Sequence, residues 1–448
     1  MKLKITFCIV LFSLIILSLP LIAQSNSDNW PNWRGPNVDG VSPKGTPPTE
    51  WSETNNIKWK TPIPGKGIGT PVVWGDQIFV TTAIELDQQA TEEAIKKLKK
   101  TSPAFVKVIG MSGTTDNFLQ FVVYSINRSN GEVNWKKVVR EQYPHEGINN
   151  NGSWASASCV TDGKHMIASF GSYGFYCFDM EGGQIWEKDL GDMQIKYAFG
   201  EGTSPVLFKN NVIIVWDHEG QSKIHVLNKE TGEEIWQKER DERSAWTTPI
   251  VVESEGKAQI IVPGSKSVGY DLKSGDVIWG ISGLGEGVIS CPVFDGERTF
   301  LMTGYGSTKM TQAIDIKSAK GELENSNAVI WSSNKNPSRV PSPLLKGEKL
   351  YFLKASKAQL SCVDAKTGEV HYEALKIEGL SWTYASPVLA NGNIYVIDRK
   401  GRTSVIKEGI VFKIIAQNKL DDNFDASPAI AGNELFLRGY KSLYCISE

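Results

Sequence analysis

VLNKETGEEIW (226–236), GYDLKSGDVIW (269–279) and SCVDAKTGEVHY (361–372) are three versions of one stretch, and SINRSNGEVNW (125–135) and CFDMEGGQIW (177–186) fit the same frame. Each runs from a short apolar strand into Asp or Asn, through a turn with glycine, and into a strand that reaches an aromatic residue. Asp or Asn followed closely by Gly marks a tight hairpin, because the turn needs positive φ. A second marker precedes each hairpin: GTPVV, TSPVL, TTPIV, SCPVF, PSPLL, ASPVL and ASPAI. Proline is tolerated there, at the start of a strand, because no ladder donor is lost inside the sheet. The small residue of the marker anchors the repeat at Thr70, Ser158, Ser204, Thr248, Cys291, Ser342, Ser386 and Ser427. Successive anchors lie 41 to 51 residues apart, except for a first interval of 88. A period of this length with four short strands is that of a propeller blade. Eight anchors predict an all-β, eight-bladed propeller.

The long first interval predicts an insertion at 85–120 in blade one, and ELDQQATEEAIKKLKK within it has the spacing of an amphipathic helix. After Ser427 only three strands remain. NNIKWKTPI (55–63) is therefore expected to supply the fourth, closing the last blade and leaving no open edge. The domain reading is a signal peptide at 1–23, an extension at 24–54 and the propeller at 55–448.

The chain carries 48 basic and 50 acidic residues, a net charge of −2. This balance, with no concentrated basic region, argues against a nucleic-acid partner. MKLK followed by ITFCIVLFSLIILSLPLIA reads as a secretory leader cut near Ala23. No cysteine follows it to take a lipid, and no later stretch is long enough to span a membrane. The expected location is periplasmic or secreted. Cys159, Cys177, Cys291, Cys362 and Cys445 follow the leader, an odd number without a CxxC pair. The missing CxxC speaks against a zinc or thioredoxin-like site. Cys177, Cys362 and Cys445 share one place in the repeat, which a buried strand position explains better than chemistry.

The hairpin pattern Asp-x-x-(Thr/Ser)-Gly-(Glu/Asp)-x-x-Trp resembles the quinoprotein-like (pyrroloquinoline quinone, PQQ) propeller repeat, from Trp30 to Glu448. That resemblance implies two branches: quinone-dependent alcohol dehydrogenases, and the lipoprotein scaffold of the outer-membrane β-barrel assembly machinery. DNWPNWRGPNVDGVSP, FGEGTSPVL, WDHEGQS, RDERSAWTTP and NKLDDNFDASPA look like an exported bacterial group of such repeat proteins. Fold does not select between the branches; the site must.

In a propeller the loops between strands B and C and the connections from D to the next A surround one mouth of the channel. The D-to-A segments bring Trp154, Trp246, Trp382 and Tyr384 there, with Glu201, Arg339 and Asp425. Aromatics among a few charges suit a flat or polar ligand. WDHEG (216–220) falls in a B-to-C loop of blade three on the same face, so Asp217, His218 and Glu219 are candidate metal ligands with Glu201. Oxygen ligands of this kind suit Ca²⁺ or Mg²⁺ better than zinc. The quinoprotein resemblance implies stacking by Trp246 or Trp382, Arg339 on quinone oxygens, and Glu201 with Asp425 as metal ligand and base. The adjacent cysteine pair of many such dehydrogenases is missing, and no CxxCH haem motif occurs. Three readings stay open. The favoured one is a non-catalytic platform for a protein partner or a small polar or carbohydrate ligand. The others are a PQQ and Ca²⁺-dependent oxidoreductase, and a polysaccharide-acting enzyme using Glu201, His218 and Asp425.

Overall fold

The computed structural model describes residues 28–448; the expected leader at 1–23 lies outside them. Eight antiparallel sheets follow one another along the chain, each with strand A inside and strand D at the rim, and they form an eight-bladed propeller. Blade three is representative, with strands Val206–Phe208, Asn211–Trp216, Lys223–Asn228 and Glu234–Glu239. The last blade holds Ala429–Ala431, Glu434–Arg438 and Ser442–Ile446. Its rim strand is Ile57–Pro62, paired antiparallel from Ile57 opposite Ile446 to Pro62 opposite Ser442. Closure by the N-terminal strand is thus as expected.

The two sequence markers turn out to be the joints between blades. At the centre, the backbone N–H of Thr70 donates to Ser158 Oγ at 2.8 Å. The same bond then repeats from Ser158 to Ser204, Ser204 to Thr248, Thr248 to Cys291 Sγ, Cys291 to Ser342, Ser342 to Ser386, and Ser386 to Ser427. A small side chain with an acceptor atom is what each step needs, which is why Cys291 substitutes for a hydroxyl. At the rim, the indole of Trp59 donates to Arg128 O, Trp135 to Met180 O, Trp186 to Lys229 O, Trp236 to Leu272 O and Trp331 to Ala365 O. Each acceptor lies in the C–D turn of the following blade. The turn glycine lies under the incoming ring: a Cβ on Gly232 would meet Trp186 at 2.7 Å, and φ there is +70°. Glycine is required twice over, for its backbone conformation and for the space above it. The turn itself is held by the leading Asp or Asn, as where Asn228 Oδ1 accepts from the Glu230 and Thr231 amides.

Two intervals depart from the period, each for a visible reason. Between blades four and five, Gly321–Glu322 adds a parallel fifth strand beside Val277–Ser282, and Leu323 is buried behind it. In blade one, strand B runs on through Gln77–Gln89, paired with Asn117–Asn127. The helix expected from Glu85 therefore starts later. Helix α1 is Glu92–Thr101, with Thr91 as its N-cap accepting the Ala94 amide at 3.3 Å. Leu98 is its buried residue, and a second short helix, α2, follows at Ala104–Val108. Residues Ser112–Gly113 tie this arm to Ile148–Asn149.

The N-terminal extension is a structural part of the ring. Trp30 pairs with Val73, Val41 with Leu389, and the Trp51 amide donates to Asn418. Arg34 is buried, its guanidinium donating to Pro387 O at 3.0 Å and Pro343 O at 2.7 Å. These prolines follow the anchors of blades six and seven, so Arg34 ties strand A of one blade to the next. The five cysteines among the described residues are all buried and free. No helix among the described residues is long and apolar enough to cross a membrane.

Candidate functional site

A cavity of about 740 Å³ occupies the channel. The anchor residues Ser158, Ser204, Thr248 and Ser386 line its inner wall, and Trp33 from the N-terminal extension reaches it. Its mouth carries Trp246, Trp382, Tyr384, Arg339, Glu201 and Asp425. Six of the residues singled out in the sequence thus meet around one space. They do so because each sits in a D-to-A connection, and every such connection converges on the channel.

The aromatic wall is fixed by polar contacts. Trp246 Nε1 donates to Gly200 O at 2.7 Å, and its ring lies 6.2 Å from Tyr305. The Arg339 guanidinium stands 5.1 Å over the Tyr305 ring, so both Trp246 and Arg339 adjoin that tyrosine. On the opposite side Trp382, 42 % exposed, meets Tyr384 edge to face at 6.1 Å. Tyr384 carries the guanidinium of Arg399 at 4.8 Å. Tyr305, Lys309 and Lys354 also line the cavity and were missed in the sequence. Tyr305 and Lys309 lie in the B-to-C loop of blade five and Lys354 ends strand B of blade six, where no repeated motif flags them.

The carboxylates are already engaged. Asp425 accepts from Arg399 Nε at 2.7 Å and Nη2 at 3.1 Å, and from the Tyr440 hydroxyl. Glu201 accepts the Ser172 amide at 2.8 Å and its hydroxyl at 2.6 Å. A Cβ on Gly171 would lie 1.5 Å from Glu201 Oε2, so glycine makes room for this carboxylate.

WDHEG lies in the B-to-C loop of blade three, but its side chains bind the loop together. Asp217 takes a bidentate contact from Arg240, Nε to Oδ1 at 2.8 Å and Nη2 to Oδ2 at 3.1 Å, with both residues buried. His218 Nδ1 accepts the Gln194 amide, and Nε2 meets Gln221 O at 3.2 Å, so the ring is the neutral Nε2–H tautomer. Burial lowers its pKa. Glu219 accepts the Ser244 hydroxyl at 2.8 Å. Asp217, His218, Glu219 and Glu201 thus each point to a separate protein partner. Among the described residues, no three His, Cys, Asp or Glu side chains are grouped to hold a metal. The carboxylates that a calcium-bound quinone would draw on are thus already held by protein donors.

Trp154 sits apart, beside a small side cavity of about 30 Å³ that it shares with Glu146, Glu201 and Tyr173. Burial pushes the Glu146 carboxyl up to about 8, helped by Glu201 and Glu219, and burial pushes Glu201 up to about 7. An unfolded glutamate ionises near its ordinary value, so between that value and about 8 the folded chain binds more protons. These groups favour the fold at acid pH, and that contribution is lost as pH rises through about 7 to 8. The melting temperature is expected to fall between pH 5 and pH 9, with a flatter slope in Glu146→Gln/Glu201→Gln. An unchanged slope in the double variant would assign the pH dependence to other groups.

The family model for the outer membrane protein assembly factor BamB matches residues 49–195, 119–374 and 222–447. The chain belongs to this family. BamB from Moraxella catarrhalis superposes with a TM-score of 0.52 at 13% identity, covering 82% of this chain and 98% of that one. The quinohemoprotein alcohol dehydrogenase from Comamonas testosteroni gives 0.58 at 10%, covering 94% and 80%. A europium-containing methanol dehydrogenase gives 0.56 at 10%, covering 93% and 90%. At such identities these likenesses establish the shared propeller and no more. No curated protein matches the sequence.

Proposed function

We propose that the protein is an exported binding platform, non-catalytic, whose channel mouth takes an anionic ligand bearing flat or ring-shaped groups, such as an acidic carbohydrate. The observation that carries this reading is the balance of charge in the cavity. Its two lining carboxylates, Glu201 and Asp425, already have protein donors, whereas Lys309, Arg339 and Lys354 line it without a carboxylate partner among the described residues. The free charge is therefore positive, and it stands beside the faces of Trp246, Tyr305 and Trp382. Aromatic faces stack on rings, and the cations recognise carboxylates, so the two features suit one ligand. Export rests on the leader read at residues 1–23, and the family's printed role in outer-membrane assembly supports it.

A thermal-shift titration with an acidic uronate oligosaccharide tests this. The melting temperature should rise, since a ligand that binds only the folded chain stabilises it. The rise should vanish in Trp246→Ala and in Arg339→Ala. Quinone cofactors are also anionic and flat, so PQQ is titrated in parallel with and without Ca²⁺. A calcium-dependent shift with PQQ, joined by alcohol oxidation that Glu201→Gln abolishes, would replace the platform with the oxidoreductase reading.

A further inference from the structure

The arm inserted in blade one carries an apolar tip and a basic flank. Phe105, Val108 and Ile109 are 52 %, 85 % and 59 % exposed, and their spacing of three and four residues puts them on one side of α2 and its cap. Phe105 is steadied from below by Tyr197, edge to face at 5.2 Å. On α1, Lys96, Lys97 and Lys100 are exposed, and none has an ion-pair partner among the described residues; Lys99 pairs with Asp116 at 2.8 Å. Lys107 lies between these two groups, its amine on the Lys99 carbonyl.

We infer that this arm is a docking device for an anionic lipid bilayer. The tip projects rather than encloses. Val108 is almost wholly exposed, so its three side chains suit a fluid phase that closes round them better than a preformed protein pocket. A short apolar tip binds a bilayer weakly by itself, and basic residues beside it supply the second attraction that stable attachment requires. Both signals lie within residues 96–109. Met111, at the base of the arm, lines the channel cavity, so docking would turn the channel mouth toward the membrane surface. This inference does not depend on what the channel binds.

The test is vesicle flotation with a chain starting at residue 24, which omits the apolar leader but retains all eight sheets. Vesicles are phosphatidylcholine alone or phosphatidylcholine doped with phosphatidylglycerol. The chain should float with the anionic vesicles and not with the neutral ones, and added salt should release it. Phe105→Ser/Val108→Ser/Ile109→Ser and Lys96→Gln/Lys97→Gln/Lys100→Gln should each reduce the bound fraction about tenfold. An unchanged melting temperature would confirm that both variants still fold. Failure of the parent chain to float, or flotation that neither variant weakens, overturns the inference. Capture of an acidic peptide by the arm without vesicle binding also overturns it and makes the arm a protein-docking element.

Discussion

Asp217→Ala is expected to destabilise the protein by about 3–5 kcal/mol, the usual cost of leaving one member of a buried ion pair alone. Asp217 and Arg240 are both buried, and the guanidinium makes two bonds to the carboxylate and a third, at 3.0 Å, to the Tyr270 hydroxyl. Removing the carboxylate leaves a guanidinium inside the ring with one neutral acceptor. The asymmetry of buried pairs makes the claim specific. Asp217→Leu/Arg240→Met should recover most of the loss, because no charge is then left unpaired. Urea unfolding of the three chains measures it. A loss under about 1 kcal/mol in the single variant would mean that the pair behaves as a solvated surface contact. Destabilisation without any change in ligand binding would support the structural role that the geometry gives this loop.

A chain that starts after Pro64 is expected to lose its closed ring. Strand Ile57–Pro62 is the rim of blade eight, and without it the backbone of Ser442–Ile446 becomes an unpaired edge. The same cut removes Trp59, whose indole binds Arg128 O and whose ring packs 6.1 Å from Phe436. It also removes Arg34 and its bonds to the prolines of blades six and seven. The expected product elutes as an oligomer and unfolds without a single transition, because an exposed edge pairs with another copy. Within the intact chain, Trp59→Ala alone should cost about 3–5 kcal/mol, the range for deleting a buried tryptophan side chain. Size-exclusion chromatography and denaturant unfolding check both. A truncated chain that remained a cooperative monomer would show that seven complete blades can hold the eighth open.

The repeat could be read from the sequence because each of its residues answers to a local need. Asn228 closes its own turn, Gly232 adopts the positive φ, and Trp186 and Trp236 are large apolar side chains at a fixed spacing. The sites were legible only by address. Trp246, Trp382 and Arg339 were placed at the mouth because their loops had to converge there, and Lys309 and Lys354 escaped notice because single lysines carry no pattern. WDHEG, three polar groups in a row, reads the same whether it awaits an ion or binds its own neighbours. Its partners are Gln194, Arg240 and Ser244, all outside the stretch itself. The start of α1 shifted for a related reason. Glu85–Gln89 has a helical pattern taken alone, but pairing with the strand that begins at Asn117 satisfies its backbone first.

The sequence by itself determined the number of blades, the hairpin in each and the closure of the ring by an N-terminal strand. These follow from backbone conformation and from apolar spacing, which short stretches of chain encode completely. Tertiary structure alone decided that the anchor hydroxyls form a chain of bonds from blade to blade and that each rim tryptophan clasps the next turn. It also decided that Asp217 and Asp425 are tied to arginines while Arg339 is left facing the cavity. Whether a charge is spent inside the protein or offered to a ligand depends on which distant group folding brings within about 3 Å of it, the reach of a hydrogen bond. That distance exists only in the closed ring.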